Sequence, residues 1–512
     1  MQVVIFGADK LGIDFYFEIK ANEEVVAFID NNVEKQGTAI LGINVYSADI
    51  LPELVFDKIY IASLFHYTSI KCQIVKMGIF QGKISYLPIE NYNNKKRFTD
   101  NLMGFKNRKL VDSLYCFKEL FREDKYEKAW MEIKEKYKNI FIYELSVEAI
   151  GEFIQRSFMA VNTCETDENK ILRVFIPQTD TGTAVRRICN KFLVKLIGRK
   201  IYIVQEKESS FWAYILRTYP EDIDTSEYDK FSSRKNFPTY KISTDNAINN
   251  FTGEEIQEGN IMLERIGLNK PYVCFAARTA TYNNKTVGHD FNYSARNMNF
   301  EDYEMAIKFL QKQNIITVKM GRYENQMKPM ENCIDYAGLY ADDFNDLYIA
   351  SKCEFFVSSP SGIMFMATLF AKPILVVNSM PYFGYGGTPY TANDLYIPRK
   401  YYDVNRKRYL SLREAVKLDL QCLVWTDRYE KMGIQLIDNT PEEIVAAIQE
   451  MLERLSGRWH DTVEDKKNYE RYMEIYHQME IETVDNPDNW MGGLIPCRIA
   501  SSYLRNNLYL LA

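Results

Sequence analysis

The chain has 512 residues, a length that accommodates about three to four domains of the usual size. Hydrophobic residues make up 46% and charged residues 26%, which is typical of a soluble globular protein, and the 14% aromatic content argues against disorder. The net charge of −6 gives no general electrostatic basis for binding nucleic acid.

The first residues, MQVVIFGADKLG, enter a strand pattern without a basic segment, which predicts a cytosolic start and no signal peptide. The best apolar run, Ile363–Ala371, stops at Lys372 and Pro373, well short of the roughly 18 residues that span a bilayer. The nine cysteines are scattered without a CxxC pair, which indicates reduced, buried thiols. We therefore expect a cytoplasmic protein.

Residues 1–92 alternate short apolar strands with helix, a pattern that predicts parallel βαβ units. The predicted elements are strands Val3–Phe6, Val25–Asp30 and Lys58–Ser63 and the helix Ile13–Ile19. Residues 93–169 are expected to form a helical connector that includes the basic segment Lys95–Lys109.

Two further strand–helix series follow the connector. Residues 170–270 are predicted to contain strands Arg173–Pro177 and Lys200–Val204 and helices Ala184–Ile197 and Thr252–Gly267. Residues 271–455 are predicted to contain strands Tyr272–Ala277, Ile315–Met320, Glu354–Ser358 and Ile374–Asn378 and helices Phe300–Gln311, Phe344–Ala350, Ile363–Phe370 and Pro441–Leu455. Tandem Rossmann-like units predict a cleft, with ligands at the carboxyl ends of the strands.

The turn SSPSG, Ser358–Gly362, is the strongest local signal because it joins a predicted strand to a predicted helix. Hydroxyls, a glycine and a helix N-terminus together favour an anion such as a nucleotide diphosphate. Alternatively, Ser359 or Ser361 simply caps the helix. The turn alone does not decide between these interpretations.

The stretch CEFFVSSPSGIMFMATLFAKPILVVN resembles the donor-site segment of GT-B glycosyltransferases encoded in bacterial capsule and O-antigen clusters. Other pieces that resemble this family follow in order: YVCFAARTATYNN, HDFNYSARNMNFEDY, VKMGR, DLYIPRKY and RYLSLREA. The resemblance covers roughly 173–415, and Pro360 within the turn departs from the family's pattern.

This resemblance implies an α/β protein of GT-B architecture, with two facing Rossmann-like domains and an additional N-terminal one. The implied domains are an N-terminal Rossmann-like domain (1–92), the connector (93–169), an acceptor domain (170–270), a donor domain (271–455) and C-terminal helices that pack back on the acceptor domain (456–512). It also implies sugar transfer from a nucleotide-sugar without a metal or other cofactor.

The donor-binding residues that we expect are Arg278, Gly321, Arg322, Asp335, Tyr336, Ser358, Ser359, Ser361 and Gly362. Without a metal, cations and backbone dipoles must stabilise the leaving diphosphate, and an arginine fork matches phosphate oxygens well. On the acceptor side we expect Thr181, Gly182, Thr183 and Arg296. The letters Asp222–Ile223–Asp224 fit a metal-binding DxD motif, but they lie in a polar segment and are interpreted as a solvated turn.

Inverting transfer to a hydroxyl requires a general base. His289 beside Asp290 is one candidate, and Asp180 in QTDTGTA is the competing one. Structural roles remain open for both, since Asp180 also fits a helix N-cap.

The N-terminal FGADKLG resembles a nucleotide fingerprint, with Asp30 at the ribose-binding position. Asp9, however, replaces the middle glycine and argues against NAD. The segment resembles the small domain fused to sugar-modifying acyltransferases, which implies either accessory nucleotide-sugar binding or a structural, subunit-contact role.

The expected partners are a nucleotide-sugar donor and a glycan or lipid-linked acceptor, with no nucleic acid. Contact of Lys95–Lys109 with the inner membrane and assembly into a homo-oligomer remain open. Two other functions also remain: a sugar-nucleotide 2-epimerase of the same architecture, and a non-catalytic nucleotide-sugar binding protein.

Overall fold

The computed structural model describes the following residues of the chain: 1–62, 67–86, 123–147, 149–163, 171–178, 188–204, 208, 211–212, 215–216, 219–226, 241–242, 247–279, 296–321, 329–380, 390–391, 393–418, 420, 426–483 and 498–512. It divides into two compact units. Unit 1 comprises 1–144, 166–186 and 202–229, and unit 2 comprises 145–165, 187–201 and 230–512. The predicted acceptor segment 170–270 therefore contributes to both units.

The N-terminal part of unit 1 is a six-stranded sheet in the order β3-β4-β2-β1-β5-β6. Its elements are β1 Gln2–Phe6, α1 Lys10–Ile19, β2 Glu24–Ile29, β3 Ala39–Ile40, β4 Ile43–Tyr46, β5 Lys58–Ile61, α2 Tyr67–Lys76 and β6 Ile84–Tyr86. All neighbouring pairs are parallel except β3 with β4, so the predicted βαβ pattern of this region is confirmed.

The middle of the chain supplies elements to both units: α3 Glu123–Lys136, β7 Asn139–Ser146, α4 Ile150–Thr163, β8 Ile171–Gln178, α5 Lys191–Ile197, β9 Tyr202–Ile203, β10 Lys241–Ile242 and α6 Gly253–Arg265. Strands β7, β8 and β9 form one sheet. The buried residues Trp130 and Trp212 meet edge to face in the core beside that sheet. Helix α6 begins with a capping box between Thr252 and Glu255.

The rest of unit 2 follows from residue 272 onward. Its elements are β11 Tyr272–Ala276, α7 Glu304–Lys312, β12 Ile316–Lys319, β13 Cys333–Ile334, α8 Tyr336–Leu339, α9 Asp343–Lys352, β14 Phe356–Ser358, α10 Phe365–Leu369, β15 Ile374–Ser379, β16 Tyr390–Thr391, β17 Leu395–Pro398, β18 Lys400–Asp403, β19 Arg408–Tyr409, α11 Leu412–Lys417, α12 Thr426–Lys431, β20 Ile434–Ile437, α13 Pro441–Leu455, α14 Val463–Thr483, β21 Arg498–Ile499 and α15 Ser501–Asn506.

A seven-stranded parallel sheet organises this region, in the order β13-β12-β11-β14-β15-β17-β21. The residues of β11, β14 and β15 are all buried, as expected for a parallel sheet that is covered on both faces. The prediction of an α/β protein with parallel sheets is thus confirmed.

The C-terminal segment, predicted to pack on the acceptor domain, contributes a strand to the seven-stranded sheet. Its strand β21 pairs with β17 of the seven-stranded sheet, and Glu450 of α13 accepts hydrogen bonds from the backbone of Ser501 and Ser502 at the start of α15. Pairing satisfies the backbone of the sheet edge, and a buried carboxylate matches the helix N-terminus. Sequence periodicity showed neither contact.

Candidate functional site

The seven-stranded sheet reverses its strand order between β11 and β14. The chain proceeds from β11 outward to β12 and β13, and then returns to the other side of β11 with β14 and β15. In open parallel sheets, ligands bind at the carboxyl ends of the strands beside such a switch point. The residues that follow β11 and β14 are therefore the candidate ligand-binding residues.

These two strand ends are joined by a direct contact. Ser359 Oγ accepts a hydrogen bond of 2.8 Å from the backbone N–H of Arg278, and Met298 donates its N–H to the carbonyl of Arg278 at 3.0 Å. Ser358 and Ser359 are fully buried, whereas Arg278 is half-buried. The backbone of Arg278 is thus fixed from two sides at the switch point.

The turn from Ser358 to Gly362 differs from the predicted strand–turn–helix. Instead of a continuous helix, a 3₁₀ turn at Gly362–Met364 precedes α10, which has five residues. Ser361 occupies the N-cap position, but its side chain makes no capping hydrogen bond. Because this helix is so short, its N-terminus is not assigned as an anion site.

Gly362 packs directly against α4. A Cβ built on Gly362 would lie 2.9 Å from N and 3.1 Å from Cα of Gly151, and a Cβ on Gly151 would lie 2.7 Å from Cα of Gly362. Such distances exclude a side chain at either position unless the backbone shifts. Close packing therefore accounts for the glycine without a ligand.

Gly321 and Arg296 lie near the same edge of the sheet. Gly321 follows β12 with φ of +99°, a conformation that favours glycine. Arg296 is half-buried and comes two residues before Met298, which hydrogen-bonds to Arg278. Arg296, predicted for the acceptor side, thus belongs to a segment that hydrogen-bonds to the predicted donor residue Arg278.

Asp335 and Tyr336 take part in local structure. Asp335 caps α8 by accepting from the N–H of Gly338, and its carboxylate lies 3.3 Å from Nζ of the buried Lys319. The Tyr336 hydroxyl donates to Asp346 at 2.9 Å, and burial raises the pKa of Tyr336. These contacts are those of a structural loop. The sequence had left two interpretations open for these residues, a structural loop and a contact to the ribose or base.

Seven of the predicted site residues lie outside the described residues: His289, Asp290, Asp180, Thr181, Gly182, Thr183 and Arg322. Their roles as bases, acceptor-side residues or a donor-side cation stay predictions. The basic segment Lys95–Lys109 also lies outside the described residues.

A buried polar cluster at the ends of β15 and β17 was not predicted. Asn378 and Asn439 exchange hydrogen bonds, since the N–H of each donates to the other's Oδ1 at 2.6 and 2.7 Å. Asn378 adopts φ of +49°, which asparagine tolerates better than most residues. Its position at the end of a strand was visible in the sequence, but its backbone conformation and partner were not.

Arg399 connects this cluster to the segment near Arg278. The backbone N–H of Arg399 donates to the carbonyl of Ser379 at 3.1 Å, and its Nη2 donates to the carbonyl of Asn297 at 2.6 Å. Burial lowers the pKa of Arg399, while the Asp438 carboxylate, 2.6 Å from Nε, opposes that effect. We refer to Asn297, Asn378, Ser379 and Arg399 as the β15 cluster.

An acidic pair lies beside the β15 cluster. Burial raises the pKa of Asp302, and the carboxylate of Asp438 raises it further. Arg399 partly counteracts this rise. A cation and two carboxylates are thus placed at one edge of the sheet.

The two aspartates of the DxD motif, Asp222 and Asp224, make structural contacts. The Asp222 carboxylate forms an ion pair of 2.7 Å with Lys134, and the backbone of Asp224 bridges to Ile140 and Ile142 of β7. Asp224 Oδ1 also accepts from the N–H of Ser226 at 2.8 Å. These contacts explain the two aspartates without a bound metal.

Hydrogen bonds and ion pairs within the N-terminal sheet hold the glycine turn that follows β1. Asp30 accepts a hydrogen bond of 2.8 Å from the N–H of Ala8, and Lys35 forms ion pairs with both Asp30 and Asp9. Gly7 has φ of +118°, and a Cβ there would lie 2.6 Å from the carbonyl oxygen of Ala62. In this structure Asp30 therefore holds the glycine turn rather than presenting a free carboxylate.

A family model described as C2185-like, N-terminal, matches residues 1–85. It covers the N-terminal sheet only and does not assign the whole chain to a family. No curated protein matches the chain significantly.

Several solved structures show a weak likeness. A family 9 glycosyl transferase from Veillonella parvula is 10% identical, with 62% of this chain and 98% of that chain covered and a TM-score of 0.34. The ADP-heptose LPS heptosyltransferase II of E. coli is 11% identical, with 62% and 98% covered and a TM-score of 0.33. The S. aureus MnaA–UDP structure is 11% identical, with 93% and 97% covered and a TM-score of 0.21. At these scores the likeness carries no argument about function.

Proposed function

We propose that the chain is a GT-B glycosyltransferase that moves a sugar from a nucleotide-sugar to a glycan or lipid-linked acceptor in bacterial surface polysaccharide assembly. The observation that carries this proposal is the switch point of the seven-stranded sheet, where Ser359 fixes the backbone of Arg278. The motifs that resemble GT-B donor segments include both of these residues.

In this proposal Arg278 neutralises the leaving nucleoside diphosphate. A guanidinium beside a strand end meets two phosphate oxygens at once, and a fixed backbone reduces the reorganisation that charge development requires. Gly321, whose positive φ admits a close backbone approach, contributes to the nucleoside side. The transfer is proposed to need no metal, with His289–Asp290 or Asp180 as the general base.

We also propose that the enzyme lies in the cytoplasm, where nucleotide-sugars are made. A further part of the proposal is that the basic segment Lys95–Lys109 contacts the surface of the inner membrane. Among the helices that the structure describes, none is both long enough and apolar enough to cross a membrane.

Incubation with UDP-, GDP-, CDP- and dTDP-sugars, with and without a glycan or lipid-linked acceptor, tests the function. Release of nucleoside diphosphate that requires acceptor supports a transferase. Conversion of the sugar to an isomer without such release identifies an epimerase, and binding without turnover identifies a binding protein. Either of these two results contradicts the proposal.

A further inference from the structure

The β15 cluster contains three buried polar atoms that lack a hydrogen-bond partner among the described residues: Nδ2 of Asn378, Oγ of Ser379 and Oδ1 of Asn297. Asn378 and Ser379 are each 1% exposed. A buried polar group without a partner costs about 1–3 kcal/mol, so a ligand that paired with these three atoms would recover that cost.

The three atoms belong to one connected network. Arg399 donates to the carbonyls of both Ser379 and Asn297, and Asn439 holds Asn378 through the reciprocal pair and donates its Nδ2 to the carbonyl of Pro398 at 2.7 Å. These bonds use the backbone carbonyls of Ser379 and Asn297 and, of Asn378, the backbone N–H and the side-chain Oδ1. The remaining side-chain atoms are an amide donor, a hydroxyl and an amide acceptor, which suit the hydroxyl groups of a sugar ring.

The position of the cluster relative to the switch point is fixed by the sheet. Ser358 of β14 pairs in register with Val376 of β15, so Asn378 lies two residues beyond the level of Ser358 on the neighbouring strand. Neighbouring strands lie about 4.8 Å apart. A diphosphate at Arg278 and Ser359 therefore has the β12 side, with Gly321, on one flank and the β15 cluster on the other.

We propose that Asn378 and Ser379, with Asn297, recognise hydroxyl groups of the glycosyl part of the donor, whereas the nucleoside lies on the β12 side. This inference rests on the proposed function. It assigns sugar specificity to the end of β15, a role that is separate from binding the diphosphate.

The decisive variant is Ser379→Ala, because it removes only an atom that has no protein partner among the described residues. Its melting temperature should equal or exceed that of the wild type, since an unsatisfied buried hydroxyl is lost. Ser157→Ala is the matched control, because Ser157 Oγ in α4 is also buried without a partner among the described residues. Both variants undergo the same chemical change at similar burial.

Calorimetry with paired ligands provides the test: UDP with UDP-glucose and UDP-N-acetylglucosamine, GDP with GDP-mannose, and dTDP with dTDP-glucose. For the pair that binds the wild type, Ser379→Ala should weaken the nucleotide-sugar about three- to tenfold and leave the free diphosphate unchanged. Ser157→Ala should change neither affinity.

Each other result overturns the inference in a distinguishable way. Equal weakening of the nucleotide-sugar and the free diphosphate would place Ser379 at the nucleotide. Unchanged affinity for both would mean that the cluster holds no ligand group. If the wild type bound none of these molecules, the proposed function itself would fail, and the sugar subsite with it.

Discussion

Replacing Gly362 by alanine separates two explanations for the glycine in the Ser358–Gly362 turn. If Gly362 is needed for packing, the variant loses stability. If it is needed only so that a phosphate can approach the backbone, the variant stays stable and loses affinity. The structure favours the first explanation, because a Cβ at this position would lie 2.9 Å from the backbone N of Gly151.

The magnitude follows from that distance. The neighbouring atoms belong to the backbone of α4, so relief requires movement of the helix rather than rotation of a side chain. Overpacking of this kind typically costs about 1–3 kcal/mol. We therefore expect Gly362→Ala to lower the free energy of unfolding by about 2 kcal/mol, and Gly151→Ala to have a similar effect.

Urea denaturation at pH 7 measures the effect. Gly253→Ala is the control, because a Cβ at this first residue of α6 would meet nothing within 4 Å. That variant should be as stable as the wild type or more stable by about 0.4–1 kcal/mol. If Gly362→Ala retained wild-type stability while nucleotide binding was lost, the packing explanation would be refuted.

Three further predictions concern contacts in unit 2. Ser359→Ala should lower the free energy of unfolding by about 1–3 kcal/mol in urea denaturation, because the N–H of Arg278 loses its acceptor; a neutral result would mean that this contact is not formed in solution. Arg199 forms a hydrogen-bonded ion pair with Glu255 that lowers the pKa of Glu255 to about 2, below the roughly 4.3 of a glutamate in an unfolded chain. The ionised Glu255 therefore stabilises the fold above about pH 4.5, and this contribution is lost as the pH falls towards 2. The stability difference between Glu255→Gln and the wild type should accordingly shrink between pH 5 and pH 2.5, and a constant difference would contradict the pairing. Glu450→Ala should lower the free energy of unfolding by about 2 kcal/mol or more in urea denaturation, since the N–H groups of Ser501 and Ser502 lose their acceptor while Arg454 keeps its ion pair with Asp461; wild-type stability would refute this role.

Much of the fold could be predicted from local sequence signals. Helix α13 has the predicted bounds, Pro441–Leu455, because Thr440 and Glu443 form a capping box and Pro441 occupies the first turn. Strand β15 was predicted to within one residue because apolar residues fill it up to a polar end. Such signals depend only on neighbours in the chain.

The site was less predictable because its determinants join distant parts of the chain. The contact between Gly151 and Gly362 links a helix of the predicted connector to the predicted donor turn, and nothing near either glycine indicates the other. The two-residue strand β21 is too short to show periodicity. The β15 cluster was missed because the positive φ of Asn378 and the reach of Arg399 arise from tertiary packing.

Calorimetric titration of nucleoside diphosphates into the wild type and Arg278→Ala tests the central claim most directly. Arg265→Ala is the matched control, because Arg265 is exposed at the end of α6. We predict that one of UDP, GDP, CDP and dTDP binds the wild type and Arg265→Ala equally, and binds Arg278→Ala at least tenfold more weakly, a loss of about 1.4 kcal/mol. Equal affinity of all three proteins for the diphosphate, or no binding to the wild type, would contradict a donor site at Arg278.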